Sequence, residues 1–218
     1  MKKNITIAID GTAASGKGTL AKKLAKEFNY AYLDTGKLYR ASALIIKEKD
    51  INYKNLKEII DFLKNYNFTN YDFNNYELKS DKIGKLASLI SGYKELRELL
   101  LLFQRKFANK RHPKKLGVIL DGRDIGTVVL PNANIKFFVT ASLPVRAERR
   151  WKELISLGQS TIKRHVEKDI RDRDKRDSKR KYSPLIASQD AILIDTTNLD
   201  ANEVFLLAKN NIEEYLRN

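Results

Sequence analysis

The feature that most constrains this chain is a glycine-rich turn, Gly11-Thr12-Ala13-Ala14-Ser15-Gly16-Lys17-Gly18-Thr19, set between an apolar run and a helical one. Before it, Ile5–Ile9 is β-branched and apolar, ends at Asp10-Gly11, and predicts a buried parallel strand. After it, Leu20, Leu24, Ala25 and Phe28 recur at helical spacing along 17–28. Strand, glycine turn and helix together let backbone N–H groups converge on phosphate oxygens. The helix N-terminus adds partial positive charge, and Lys17 adds a full one near β and γ phosphates. A chance glycine turn would lack both flanking elements. Gly11 through Thr19 is therefore expected to hold the phosphates of a nucleoside triphosphate.

One position narrows the chemistry. Gly18 stands where the usual loop has Ser or Thr directly after the lysine. The Gly-Lys-Gly-Thr ending is that of nucleoside monophosphate kinases. It argues against GTPases and motor ATPases, whose hydroxyl at that position ligates Mg²⁺. Thr19 is placed to touch phosphate or a Mg²⁺-bound water.

The rest of the chain alternates strand and helix. Short apolar runs at 30–33, 116–120, 135–140 and 191–195 read as strands, and 17–28, 35–49, 56–66, 81–91, 94–109, 144–157, 162–181 and 201–216 as helices. The predicted fold class is α/β, a parallel sheet around the phosphate loop with helices on its faces. The stretch 67–79, with Phe68, Tyr71, Phe73, Tyr76 and Leu78, fits either short antiparallel strands or a loose loop. At 218 residues the chain is expected to be one domain with appended lobes.

Composition removes several classes. With no cysteine there are no disulfides or thiolate metal sites, and His112 and His165 as the sole histidines argue against a His-based zinc centre. No window supplies the roughly 20 apolar residues of a membrane span. Ile5–Ile9 is too short for a signal-peptide core and lacks a cleavage site, so a cytoplasmic location is expected. The net charge is +15, and 146–181 carries +7 of it, rich in arginine. Such charge attracts polyanions, from nucleic acid to phosphorylated metabolites, and arginine is the better bidentate phosphate donor. Nothing in the chain marks a subunit interface, so a monomer is the default expectation.

Three further constellations fall at strand ends or on a helix face. Asp34-Thr35-Gly36 closes the second strand, with Arg40 in the next helix. Thr35 and Arg40 could hold a phosphorylated acceptor, or Thr35 could cap the helix with Arg40 solvated. Asp121-Gly122-Arg123-Asp124 ends an apolar strand, where an acid positions Mg²⁺ or its waters in phosphoryl-transfer enzymes. Arg173, Arg176, Asp177 and Arg180 lie at i, i+3, i+4 and i+7, one face of a helix able to reach over a triphosphate.

In this order, these residues resemble bacterial cytidylate kinases from end to end. The resemblance rests on the GKGT loop, on Asp34-Thr35-Gly36 with Leu38-Tyr39-Arg40, on Asp121 through Val129, and on Arg171-Asp172-Arg173-Asp174 continuing to Arg176, Asp177, Arg180 and Ser183-Pro184-Leu185. It implies transfer of the γ-phosphoryl group of ATP to CMP or dCMP, with Mg²⁺. Lys17 and the loop amides would hold ATP, and Thr19 and Asp121 the metal, through water. Thr35, Arg40, Arg123 and Arg173 would surround the acceptor's phosphate or sugar. Ser88, Arg97 and Asp124 would read cytosine, and Asp177 and Arg180 would contact acceptor sugar, base or phosphate. Lys17, Arg123, Arg173, Arg176 and Arg180 would be catalytic. The core would comprise about 1–51, 97–149 and 182–218, the acceptor lobe about 34–96, and a mobile lid about 150–181, with Arg149 and Arg150 at its start. One stretch departs, because 67–84 lacks the glycine-punctuated hairpin of the family's small inserted sheet and reads as shortened or remodelled. Two rivals stay open at this stage, another small-molecule kinase of the same fold and a basic nucleic-acid-binding protein, though no DNA- or RNA-binding module is recognisable.

Overall fold

A computed structural model describes residues 5–217. Five strands form one parallel sheet: β1 Ile5–Gly11, β2 Ala31–Asp34, β3 Gly117–Gly122, β4 Ile135–Thr140 and β5 Ile192–Asp195, in the order β2-β3-β1-β4-β5. Eight helices accompany them: α1 Lys17–Glu27, α2 Thr35–Glu48, α3 Leu56–Lys64, α4 Asp81–Ile90, α5 Lys94–Asn109, α6 Leu143–Ser156, α7 Lys163–Lys179 and α8 Ala201–Arg217. The α/β expectation holds.

The central strand β1 is buried on both faces, as its unbroken apolar run requires. Ile7 and Ile9 face Leu20 and Leu24 of α1 and Val204, Ala208 and Ile212 of α8. On the other side Ala8 joins Val118 and Leu120 of β3 beneath Leu101 and Phe107 of α5. A separate core belongs to the inserted helices, where Leu38, Leu44, Ile59, Leu63, Ile83, Ile90, Leu96 and Leu100 close on one another. A fourth small cluster lies between α6 and α7, with Leu154, Val166 and Ile170 packed on Ala13 of the glycine turn.

The stretch 67–79 holds no strand. Two 3₁₀ turns, Phe68–Asn70 and Tyr76–Lys79, occupy it. Asn67 and Asn75 decide this locally, because their side-chain oxygens accept from the N–H groups of Thr69 and Glu77, which competes with a ladder. The aromatic residues then cluster edge to face, Tyr66 on Phe68, Phe68 on Phe103 and Tyr71 on Phe73. Two boundaries also moved. β3 begins at Gly117 and continues through Asp121-Gly122, while Leu116 is exposed. α7 ends at Lys179, and Arg180 leaves it with extended backbone.

The register places the chemistry. Parallel pairing sets Ile9 beside Asp121, Asp10 beside Gly122, and Asp34 beside Asp121. The carboxyl ends of β1, β2 and β3 therefore lie at one edge, where α/β sheets bind ligands.

Candidate active site

The loop after β1 bends sharply. A Cβ at Gly11 would stand 1.9 Å from the carbonyl oxygen of Val139, so only glycine lets β1 lie this close to β4. Gly16 caps α1 in the left-handed conformation, φ 89°. The first bond of α1 runs from Leu20 N–H to Gly16 C=O, which leaves the N–H groups from Ala14 to Thr19 for a ligand. Ala13 to Thr19 line a cleft of about 850 Å³. Gly11 and Thr12 lie outside that lining and support it. The Gly11 carbonyl accepts from Arg123 at 2.9 Å, and the Thr12 carbonyl accepts from Lys17 Nζ at 3.2 Å.

Every expected acceptor residue lines the same cleft: Thr35, Arg40, Ser88, Arg97, Arg123, Asp124, Arg173, Asp177 and Arg180, with Arg176. They arrive from α2, α4, α5, the turn after β3, and the end of α7. The alternative in which Thr35 caps the helix and Arg40 is solvated differs from the structure. Asp34 caps α2 by accepting from Lys37 N–H at 3.0 Å, and buried Thr35 donates its hydroxyl to the Asp121 carbonyl at 2.8 Å. Arg40 is half-buried rather than free in solvent. It donates to the carbonyls of Leu78 and Ser80 and lies against Gly84, where a Cβ would be 3.0 Å from the guanidinium.

Acids and guanidinium groups alternate through the cleft wall. Arg97 donates to Asp124 at 2.6 Å, Arg123 Nε donates to Asp177 at 2.9 Å, and Arg180 stands 3.9 Å from Asp124 and 3.8 Å from Asp177. Arg176 Nε donates to the Ser88 hydroxyl at 3.3 Å. Burial would raise the Asp177 carboxyl, but Arg123, Arg173 and Arg180 outweigh it and hold it below the usual range. Burial and the nearby charges of Arg123 and Arg40 push Arg173 down to about 9. Burial and Arg150 push Arg40 to about 10. Guanidinium groups that repel one another across a cleft favour an anion between them.

At the loop end, burial lowers Lys17 well below the lysine range, with Arg123 adding to the effect. Burial and Asp34 raise the Asp121 carboxyl, which accepts from Tyr32 Oη at 2.9 Å. Several buried polar atoms around the cleft make no hydrogen bond among the described residues: Thr12 Oγ1, Ser15 Oγ, Arg97 Nε, Arg173 Nε and Arg180 Nη2. Such groups can be satisfied by a ligand or by water.

The cytidylate kinase family model matches residues 7–214. The chain belongs to the cytidylate kinase family. It is 41% identical to a cytidylate kinase of Fusobacterium nucleatum across 97% of this chain and 98% of that protein. A cytidylate kinase of Alkaliphilus oremlandii is 43% identical across 92% and 94%. A crystal structure of an uncharacterized protein from Eubacterium ventriosum matches the fold with TM-score 0.50 at 17% identity, covering 98% of this chain and 99% of that one.

Some site residues have roles that the motifs did not assign. Asp10 accepts from the N–H groups of Ile125 and Gly126, both at 2.7 Å, and so anchors the π turn Ile125–Val129 that follows Asp124. Burial pushes Asp10 up to about 6, against those two donors. Tyr39 lies 5.3 Å beneath the Arg97 guanidinium. Arg149, expected with the lid, is held by Thr196, donating to its hydroxyl and carbonyl oxygens at 2.8 Å, which fixes it to the sheet edge after β5. An acid ending an apolar strand was the available signal for Asp10. No sequence signal pointed to Thr196.

Proposed function

We propose that this kinase transfers the γ-phosphoryl group of ATP to CMP and dCMP, releasing ADP with CDP or dCDP. The observation that carries the reading is one cleft with a phosphate-binding loop at one end and an arginine–carboxylate wall at the other. The acceptor phosphate oxygen attacks the γ-phosphorus in line, and no side chain acts as a covalent nucleophile. Lys17 and the loop amides hold the ATP phosphates. Arg40, Arg123 and Arg173 hold the acceptor phosphate and neutralise charge on the group in transit, with Arg176 and Arg180. Thr35, whose hydroxyl is spent on the Asp121 carbonyl, positions the end of β3 rather than donating to the acceptor. Ser88, Arg97 and Asp124 suit cytosine, because its exocyclic amine needs an acceptor and its O2/N3 edge needs donors. Asp177 accepts from the acceptor's sugar.

Mg²⁺ fits the donor end. Among the described residues no group of three His, Cys, Asp or Glu could cage a metal. Buried Asp121 faces Gly18, with an oxygen 3.6 Å from where a Cβ would stand, and Thr19 is exposed at the cleft mouth. One carboxylate beside a phosphate loop suits an ion that takes phosphate and water for its remaining ligands. Asp121 and Thr19 would hold it through water, and it would supply charge neutralisation at the β and γ phosphates.

Lid closure excludes water and prevents idle ATP hydrolysis. The segment 150–181 supplies the lid, and its contacts with the acceptor lobe support this. Lys85 pairs with Asp169 at 2.8 Å, and Arg150 donates to the Lys79 carbonyl at 3.2 Å. The described helices contain no stretch long and apolar enough to cross a membrane. We place the enzyme in the cytoplasm as a monomer. A coupled ADP-release assay across CMP, dCMP, UMP, AMP and GMP tests the reading. The expected order has CMP and dCMP first, and a preference for AMP or UMP would overturn it.

A further inference from the structure

We infer that Arg146 and Asp174, which do not line the cleft themselves, are positioning residues that lock the phosphate loop in its binding conformation. The inference deepens the kinase reading and rests on it only for the identity of the nucleotide.

Ala14 is in the left-handed region, φ 57°, although it carries a Cβ. Such a residue persists when its surroundings over-determine it. The plane of the Ala13–Ala14 peptide sets that φ, and flipping the plane would relieve it. Both polar groups of Ala13 are tied down. Its N–H donates to Asp174 Oδ1 at 3.2 Å, and its carbonyl accepts from Arg146 Nη1 at 3.2 Å.

The two clamping side chains are themselves paired. Arg146 donates to Asp174 Oδ2 and, through Nε, to the Ala141 carbonyl at 2.8 Å. Arg146 is 7% exposed, too buried to sample other positions freely. The Ala13 side chain adds contact from below, packed with Ala147, Leu154, Val166 and Ile170. In a trans peptide the C=O and N–H point opposite ways. With the Ala13 carbonyl drawn to Arg146, the Ala14 N–H turns away from Arg146, toward the side of the loop that lines the cleft. Asp174 also sits one residue from Arg173 and three from Asp177. One turn of α7 therefore grips the donor loop and presents the acceptor wall.

The test uses the full chain and reads the loop directly. Titration with ATP, and with inorganic tripolyphosphate as a probe of the loop, is compared between wild type and Asp174→Ala, with CMP titrated in parallel. Asp174→Ala is expected to weaken ATP and tripolyphosphate roughly tenfold to a hundredfold while CMP affinity moves much less. Because a lone buried arginine threatens folding, the double variant Arg146→Met/Asp174→Leu replaces the pair with apolar side chains, a change folds commonly tolerate. It is expected to stay folded by circular dichroism and to show the same loss. Adding Ala14→Gly, which removes the cost of positive φ, is expected to restore part of it. A folded double variant with wild-type tripolyphosphate affinity would overturn the clamp, as would equal losses for CMP and ATP. Failure of the kinase reading looks different: wild type would grip tripolyphosphate yet release no CMP-dependent ADP.

Discussion

The two ends of the cleft are built to hold similar groups by opposite means. The loop end is one contiguous stretch whose donors are backbone amides, and Lys17 is its one full charge. The acceptor end is assembled from five separate segments, and its donors are guanidinium groups held by Asp124 and Asp177. A backbone site depends on conformation and is encoded by glycine and spacing. A side-chain site depends on charge balance and is encoded by residues scattered over more than a hundred positions. Arg123 spans the two, with Nη1 on the Gly11 carbonyl and Nε on Asp177.

The comparison breaks first, and with the largest effect, at Lys17. Lys17→Ala is expected to lower kcat by about 10²–10³-fold with an unchanged melting temperature, since it removes charge from the phosphoryl group in transit. Near-normal single-turnover rates would remove Lys17 from the donor end. Arg180→Ala is expected to lower kcat/KM for CMP by about 10²-fold while the KM for ATP moves little. An equal rise in both KM values would mean that the two ends do not divide the work this way. Asp124→Asn is expected to cost roughly 1–3 kcal/mol of discrimination for CMP over UMP, read as a ratio of kcat/KM values.

A pH experiment sharpens the loop end. Burial holds the free enzyme's Lys17 below its ordinary range, so above neutral pH part of the population has lost that proton. Bound phosphates favour the ammonium, so ATP binding at about pH 8 is expected to take up a proton, and less at about pH 6. Calorimetry in buffers of different ionisation enthalpy measures this directly, and proton release at the higher pH would contradict it. The smallest expected effect lies away from both ends. The Tyr71 hydroxyl is buried with no hydrogen-bond partner among the described residues, so Tyr71→Phe is expected to change stability by within about 0.5 kcal/mol of zero or to raise it slightly, measured by urea titration.

Legibility followed the same division. The loop, its strand and its helix were readable because period, glycine placement and cap chemistry are local properties. The arginine face of α7 was readable from spacing, although Arg180 lies just past the helix rather than on it. The 67–79 stretch was not resolvable between strand and loop, because its aromatic content favours strands while Asn67 and Asn75 cap short turns. Thr35 and Arg40 showed their residue types but not their partners. The Asp121 carbonyl and the Leu78 carbonyl belong to distant segments.

By itself, the sequence determined the phosphate loop, the α/β alternation and the kinship with cytidylate kinases, since each is carried by short-range pattern or ordered motifs. Only the tertiary structure decided how the charges pair. Whether Asp124 meets Arg97, whether Asp174 and Arg146 close on Ala13, and whether Arg149 belongs to the sheet edge all depend on which strand lies beside which. The parallel order β2-β3-β1-β4-β5 sets the carboxyl ends of β3, β1, β4 and β5 side by side, and the segments that leave those ends carry these groups within hydrogen-bonding distance.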